Sequence, residues 1–210
     1  QINLFIEPLP FLASVSNITE SSGGSEIEQD DPYRERIYEA PDSFSTAGSK
    51  ESYTFWAKTA STLIKDIKVS SPSAGVVEIR PLIDGGSTPE IMQQILDVVN
   101  DKKVRPLTDQ VLVVDPEPKL FNIDIEYWID EENLIYANDI QAKVTDAINE
   151  YITWQGDEIG RDIIPSELSR LVMMAGARRV TINSPIYEVL SDVQLATLGT
   201  KIVKYGGGEP

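Results

Sequence analysis

An α+β fold follows from three observations in this 210-residue chain. Helical stripes, with apolar residues at i, i+3, i+4 and i+7, alternate with runs of period two. Residues 64–114 run strand, strand, helix, strand, an order that needs a sheet with a helix laid on one face. A clean apolar–polar alternation at 121–128 is followed by a long helical stripe. The expected architecture is a short leading helical segment followed by two small sheet-plus-helix domains.

The elements justify themselves in order. Ile2-Asn3-Leu4-Phe5-Ile6 is strand-like, and Glu20-Ser21-Ser22-Gly23-Gly24-Ser25 is a loop by composition. With no initiator Met, residues 1–30 are read as the strand and loop remnant of a truncated upstream domain. Asp31-Pro32 starts a helix, Asp31 as cap and Pro32 at the first helical position; Tyr33 and Ile37 share a face, and Pro41 stops it. A second helix over 49–60 carries the stripe Tyr53, Trp56, Ala57, Ala60. Residues 64–69 and 75–82 read as strands joined through Ser71-Pro72-Ser73. Thr88-Pro89 opens a helix with Ile91, Ile95, Val98 and Val99 on one face, and Val111-Leu112-Val113-Val114 is a short strand.

Asp115-Pro116-Glu117-Pro118 reads as a joint, since two prolines stiffen it. It divides 31–116, the leading helical segment plus a ββαβ domain, from 117–210, a C-terminal α+β domain. Beyond it Phe121, Ile123, Ile125 and Tyr127 point one way and Asn122, Asp124, Glu126 and Trp128 the other. A long helix has Ala137, Ile140, Val144, Ile148 and Tyr151 inward. Pro165-Ser166 opens another, with Leu168, Leu171, Val172 and Ala175 inward and Gly176 just past its end. Strands at 180–182 and around Ile202-Val203 close the domain, and Gly206-Gly207-Gly208 reads as a loose tail.

Composition narrows the function. Apolar residues are 41% and charged residues 25%, enough to build a core. With 34 acidic against 18 basic residues the net charge is −16, which repels phosphate backbones and anionic lipid; neither nucleic acid nor membrane is an expected partner. No apolar run is long enough to span a bilayer, and Gln1 to Pro8 lacks the basic start of a signal peptide. Without cysteine, disulfides and thiolate metal sites are excluded; without histidine, the commonest general base and zinc ligand are absent.

The remaining chemistry is thin. Asp30-Asp31 and Asp130-Glu131-Glu132-Asn133 lack the alternating ligands and turn glycine of a calcium loop, so they read as solvated charge. The hydroxyl run Ser43 to Ser49 has no Gly-x-Ser-x-Gly elbow; a Ser–Lys dyad with Lys50 is the enzymatic alternative and a helix-capping loop the plain one. Asp84-Gly85-Gly86-Ser87 has no following Gly-Lys-Ser/Thr, so it is a turn and not a phosphate loop. No catalytic residue, metal or cofactor is expected. Tyr53 and Trp56 with Phe55 put aromatics on two helix faces, a pattern suited to contact with a second partner.

Several spaced motifs in one order carry a resemblance. They are Asp31-Pro32-Tyr33-Arg34-Glu35-Arg36-Ile37, Ala40-Pro41-Asp42-Ser43-Phe44-Ser45-Thr46-Ala47-Gly48, and Tyr53-Thr54-Phe55-Trp56-Ala57. Val69-Ser70-Ser71-Pro72, Gly75-Val76-Val77-Glu78-Ile79, Asp84-Gly85-Gly86 and Val104-Arg105-Pro106-Leu107-Thr108-Asp109 follow, then Gly160-Arg161-Asp162-Ile163 and Ser184-Pro185. Together they resemble baseplate J-like proteins of contractile phage tails. Ser49 stands where that pattern often has proline, a departure that touches only how the loop enters its helix.

The resemblance implies a structural wedge subunit that scaffolds wedge-to-wedge and wedge-to-hub contacts. It implies other wedge and hub proteins and neighbouring copies as partners, and a place in the tail baseplate of a phage or tail-like particle, assembled in the bacterial cytoplasm. No catalytic residue is carried over. Tyr33, Arg34, Arg36, Phe44 and Trp56 are the candidate interface; the alternative for the two arginines is local pairing with Glu35 or nearby acids. A tail-associated cell-wall hydrolase and a receptor-binding tail module are the rival functions.

Overall fold

The computed structural model describes residues 29–41, 48–102 and 104–210. The strand-like run at 2–6, the loop at 20–25 and the hydroxyl run at 43–47, Phe44 included, lie outside the described residues. The fold is α+β, with helix α1 (Asp30–Glu39) leading into two sheets that each have their own helices and core. Asp31 lies inside the first turn of α1 and is not its cap; Gln29 takes that place and makes no side-chain cap bond.

The first sheet holds β1 (Ile64–Ser73), β2 (Val76–Ile83) and β3 (Gln110–Val113), in that spatial order. β1 and β2 form a hairpin, whereas β3 runs parallel to β2, a return that requires a crossover. Helix α3 (Pro89–Val99) is that crossover, started by Thr88, whose Oγ1 accepts from the Ile91 amide at 3.3 Å. Helix α2 (Lys50–Lys58) starts at Ser49, whose Oγ accepts from the Ser52 amide at 3.1 Å. Both helices lay their stripes on one face, burying Tyr53, Ala57, Ile95 and Val99 against Ile67, Val69, Ile79 and Val111.

The hairpin turns at Ala74-Gly75, not at Ser71-Pro72-Ser73, which lie inside β1. Proline is tolerated there because β1 is an edge strand and the pairing slips between Ser70 and Ser73. Ser71 Oγ spans the irregularity by donating to the Val76 carbonyl at 2.9 Å.

In the second sheet β4 (Glu117–Asp130) is central, with β5 (Arg179–Ser184) antiparallel on one side and β6 (Gln194–Glu209) parallel on the other. One face of β4 buries Phe121, Ile123, Ile125, Tyr127 and Ile129 under α4 (Ala137–Gly156) and α5 (Pro165–Met174). The helices contribute Val144, Ile148, Tyr151, Leu168 and Val172 to that core. Gly176, with φ +107°, takes the left-handed conformation that ends α5 beside Ile140.

Residues 206–208 are not a loose tail: they belong to β6, with Gly208 opposite Ile129. From Tyr127↔Tyr205 to Ile129↔Gly208, β4 advances two residues and β6 three, so β6 bulges; Gly207, at φ +100°, absorbs the bend. A second bulge lies between Leu198 and Lys201, where Asn122 Oδ1 accepts from the Thr200 amide at 2.9 Å.

Two buried tyrosines make a contrast that stability measurements can read. The Tyr53 hydroxyl donates to Asp109 Oδ2 at 2.9 Å, and burial, then that bond, pushes its phenol up. The Tyr151 hydroxyl, raised by burial and then by the charge of Glu167, has no hydrogen-bond partner among the described residues. Tyr53→Phe is therefore expected to lose about 1.5–3 kcal/mol, the range for a bond to a charged group. Tyr151→Phe is expected to be neutral or stabilising in the same urea titration, because it removes a desolvated group and no bond.

Candidate interface

The described side chains of helix α1 are largely exposed. Asp30 and Asp31 in its first turn and Arg36 in its last complement the helix dipole. Its apolar side chains find little cover: Tyr33 is 49%, Ile37 55% and Tyr38 87% exposed. Arg36 lies over the Tyr33 ring, its guanidinium carbon 5.3 Å from the centroid. Arg34 pairs with Asp31 at 2.7 Å. That pair stands in water, where an ion pair is weak and easily exchanged for another acid.

Trp56 lies on the next helix, α2. It is half-buried on α2 and packs against the first core, its ring meeting Phe55 edge-on at 5.5 Å. Tyr33, Arg34 and Arg36 thus share one helix, while Trp56 is partly packed on the first core.

Other motif residues act as internal staples. A Cβ on Gly48 would meet Pro106 Cγ at 2.7 Å and Asp109 Oδ2 at 2.9 Å, so the glycine lets the approach to α2 lie on the 104–109 loop. Arg105 closes that loop by donating to the Asp109 carbonyl at 2.9 Å. Arg161 stacks over Trp154 at 4.4 Å and pairs with Glu158 at 2.8 Å. Asp162 accepts from the Leu190 amide at 3.0 Å and the Tyr187 hydroxyl at 2.8 Å. The buried Gln155 donates to the Asp162 carbonyl at 2.9 Å.

The acidic stretch after β4 also has a structural task. Asp130 Oδ1 accepts from the Glu132 amide at 3.0 Å, starting the 3-10 helix Glu131–Tyr136, and Oδ2 pairs with Arg178 at 2.9 Å. The backbone bond first, then Arg178, holds this carboxyl below the usual range. Among the described residues no group of three or more acidic, His or Cys side chains could hold a metal ion. No described helix is long and apolar enough to cross a membrane.

Sequence reasoning missed the exposed Ile135, Tyr136, Ile186 and Val189. The run Leu134-Ile135-Tyr136 carried a signal, since three consecutive apolar residues cannot all face one core. It also missed Asp66 and Arg80, whose partners lie far along the chain and leave no local pattern.

Two family models match the chain: the Baseplate J-like central domain over residues 45–115 and the Baseplate J-like protein C-terminal domain over 123–203. Baseplate protein J of Escherichia phage P2 is 28% identical over 189 residues, covering 87% of this chain and 60% of that protein. The chain thus spans about 60% of that relative's length. Among solved structures, the six-fold symmetrised cryo-EM structure of the anti-feeding prophage (AFP) baseplate contains a chain of similar fold. Its TM-score is 0.56 at 9% identity, covering 81% of this chain and 42% of that one.

Proposed function

Since the chain belongs to the baseplate J-like family, we propose that it is a structural, non-catalytic part of a contractile-tail baseplate. The observation that carries this reading is the succession of the family's central and C-terminal domains along one chain. Within the baseplate it serves as a wedge subunit, joining wedge to wedge and wedge to hub. Its two sheet-and-helix units, divided near 116, act as separate rigid blocks, and α1 reaches toward a neighbour with Tyr33, Arg34 and Arg36, aided by Phe44 and the exposed edge of Trp56.

Two features support that assignment. Each unit has its own core, so each keeps its shape when a neighbour moves. The exposed aromatic and basic side chains of α1 are the types enriched where proteins meet.

Purified tail-like particles carrying antibody against this chain should show label at the baseplate end by electron microscopy. Label confined to fibres would favour receptor binding, and good particles lacking the chain would reject the reading. In the same preparation, Arg34→Glu with Arg36→Glu should lower incorporation of the chain into particles at least tenfold, equivalent to about 1.4 kcal/mol. Unchanged incorporation would remove α1 from the contact.

A further inference from the structure

The two cores share no residue. Among the described residues no helix or strand of the first unit packs broadly on an element of the second. Charged side chains nevertheless cross between them at two places. On β2, Arg80 Nη1 donates to the Asp115 carbonyl at 2.7 Å, at the covalent joint itself. Its Nη2 reaches Glu78 at 2.9 Å and Glu117, the first residue of β4, at 3.9 Å. The Arg80 side chain is only 11% exposed, whereas Glu117 beside it is 61% exposed and open to water.

The second crossing is made by β1. Asp66 Oδ2 accepts from the Ile159 amide at 3.0 Å, across 93 positions, while Oδ1 is held by the Ile67 amide at 2.8 Å. Lys65 reaches Asp157 at 3.4 Å and its own unit's Asp84 at 3.0 Å. Lys68 reaches Glu158 and Asp66, each at 3.8 Å. The loop after α4 is thereby pinned to the first sheet by one backbone bond and two ion pairs.

We propose that these two crossings form a polar latch that sets the angle between the units and can open without disrupting either core. The crossings at Arg80, Asp66, Lys65 and Lys68 are hydrogen bonds or ion pairs that water or another chain's side chain can replace. An apolar seam would instead oppose any change of angle. Arg80 anchors the joint against twisting, and Asp66 fixes the far end, so two separated points define one orientation. The use of the latch in a ring that changes shape rests on the baseplate reading; the latch itself does not.

The chain has no cysteine, so spin labels can be placed by introduced cysteines alone. Leu107→Cys, at a position 99% exposed in the first unit, and Ile135→Cys, at one 84% exposed in the second, report the angle between units. Ile135→Cys with Met174→Cys reports the second unit alone. Pulsed electron–electron distance measurement on the full chain should give one narrow inter-unit distribution. Asp66→Ala with Arg80→Met should at least double its width and leave the control pair narrow. Salt at 1 M, where the Debye length is about 3 Å, should move the unmutated chain in the same direction.

A broad distribution in the unmutated chain, no widening in either experiment, or equal widening of the control pair would overturn the latch. None of these outcomes touches the particle-labelling result, and a failed particle assignment leaves the distance measurement standing.

Discussion

Ile125→Ala should destabilise the second unit by about 3–5 kcal/mol, the upper part of the range for truncating a buried aliphatic side chain. Ile125 is fully buried at the middle of β4. Ile182 on β5 stands opposite it on one side and Val203 on β6 on the other, with α4 and α5 above. A cavity closes only if its walls can move, and here both neighbouring strands are hydrogen-bonded to the strand that carries the substitution. Ile182→Ala, on the half-buried edge strand, should cost distinctly less. The check is urea unfolding followed by tryptophan fluorescence in a Trp56→Phe background, where the remaining Trp128 and Trp154 both report the second unit. Because the cores are separate, Ile95→Ala should leave the transition of the second unit in place. A loss below about 1 kcal/mol for Ile125→Ala would mean that the site collapses freely, contrary to the two-sided ladder.

The second large effect is expected at a glycine that looks dispensable. A Cβ at Gly206 would stand 2.3 Å from Trp128 Nε1. The ring cannot simply turn aside, because the Arg179 guanidinium lies over it, 3.5 Å from its centroid. Arg179 in turn pairs with Glu209 at 2.9 Å and holds that carboxyl below its usual range. Gly206→Val should therefore expel the indole, free Arg179 and detach the end of β6, with a loss of about 1–3 kcal/mol from overpacking. A shifted Trp128 emission and new protease cleavage between residues 200 and 209 would accompany it. Gly207→Ala makes the contrast: its Cβ meets nothing, so only the left-handed φ of +100° is strained. That change should cost roughly 1–2 kcal/mol and leave the indole emission alone.

Much of this fold was legible residue by residue. The α2, α3, α4 and α5 stripes face inward as their spacing requires, and Thr88-Pro89, Pro165 and Gly176 mark helix ends by local backbone chemistry. The alternation from Phe121 to Trp128 separates buried from outward side chains along β4. The surface of α1 was legible in part. Tyr33 and Ile37 at i, i+4 announce an apolar face, but only the surroundings decide that this face stays uncovered. Asp31 reads equally well as a cap or as a first-turn acid, and the backbone chose the second.

The sequence by itself determined the helices from α2 to α5, the apolar face of β4 and the family, because each is written in short-range periodicity or in ordered motifs. Strand partners, bulges and the latch were decided only in three dimensions. Pro72 stays in β1 because the edge of a sheet leaves its missing amide without consequence. Three glycines become strand because β4 supplies the ladder and Trp128 needs the space above Gly206. Asp66 and Ile159 meet because two units folded on their own cores come to rest side by side. A hydrogen bond across 93 positions has no local signature, since the residues between set only how far the chain can reach and not where its ends lie.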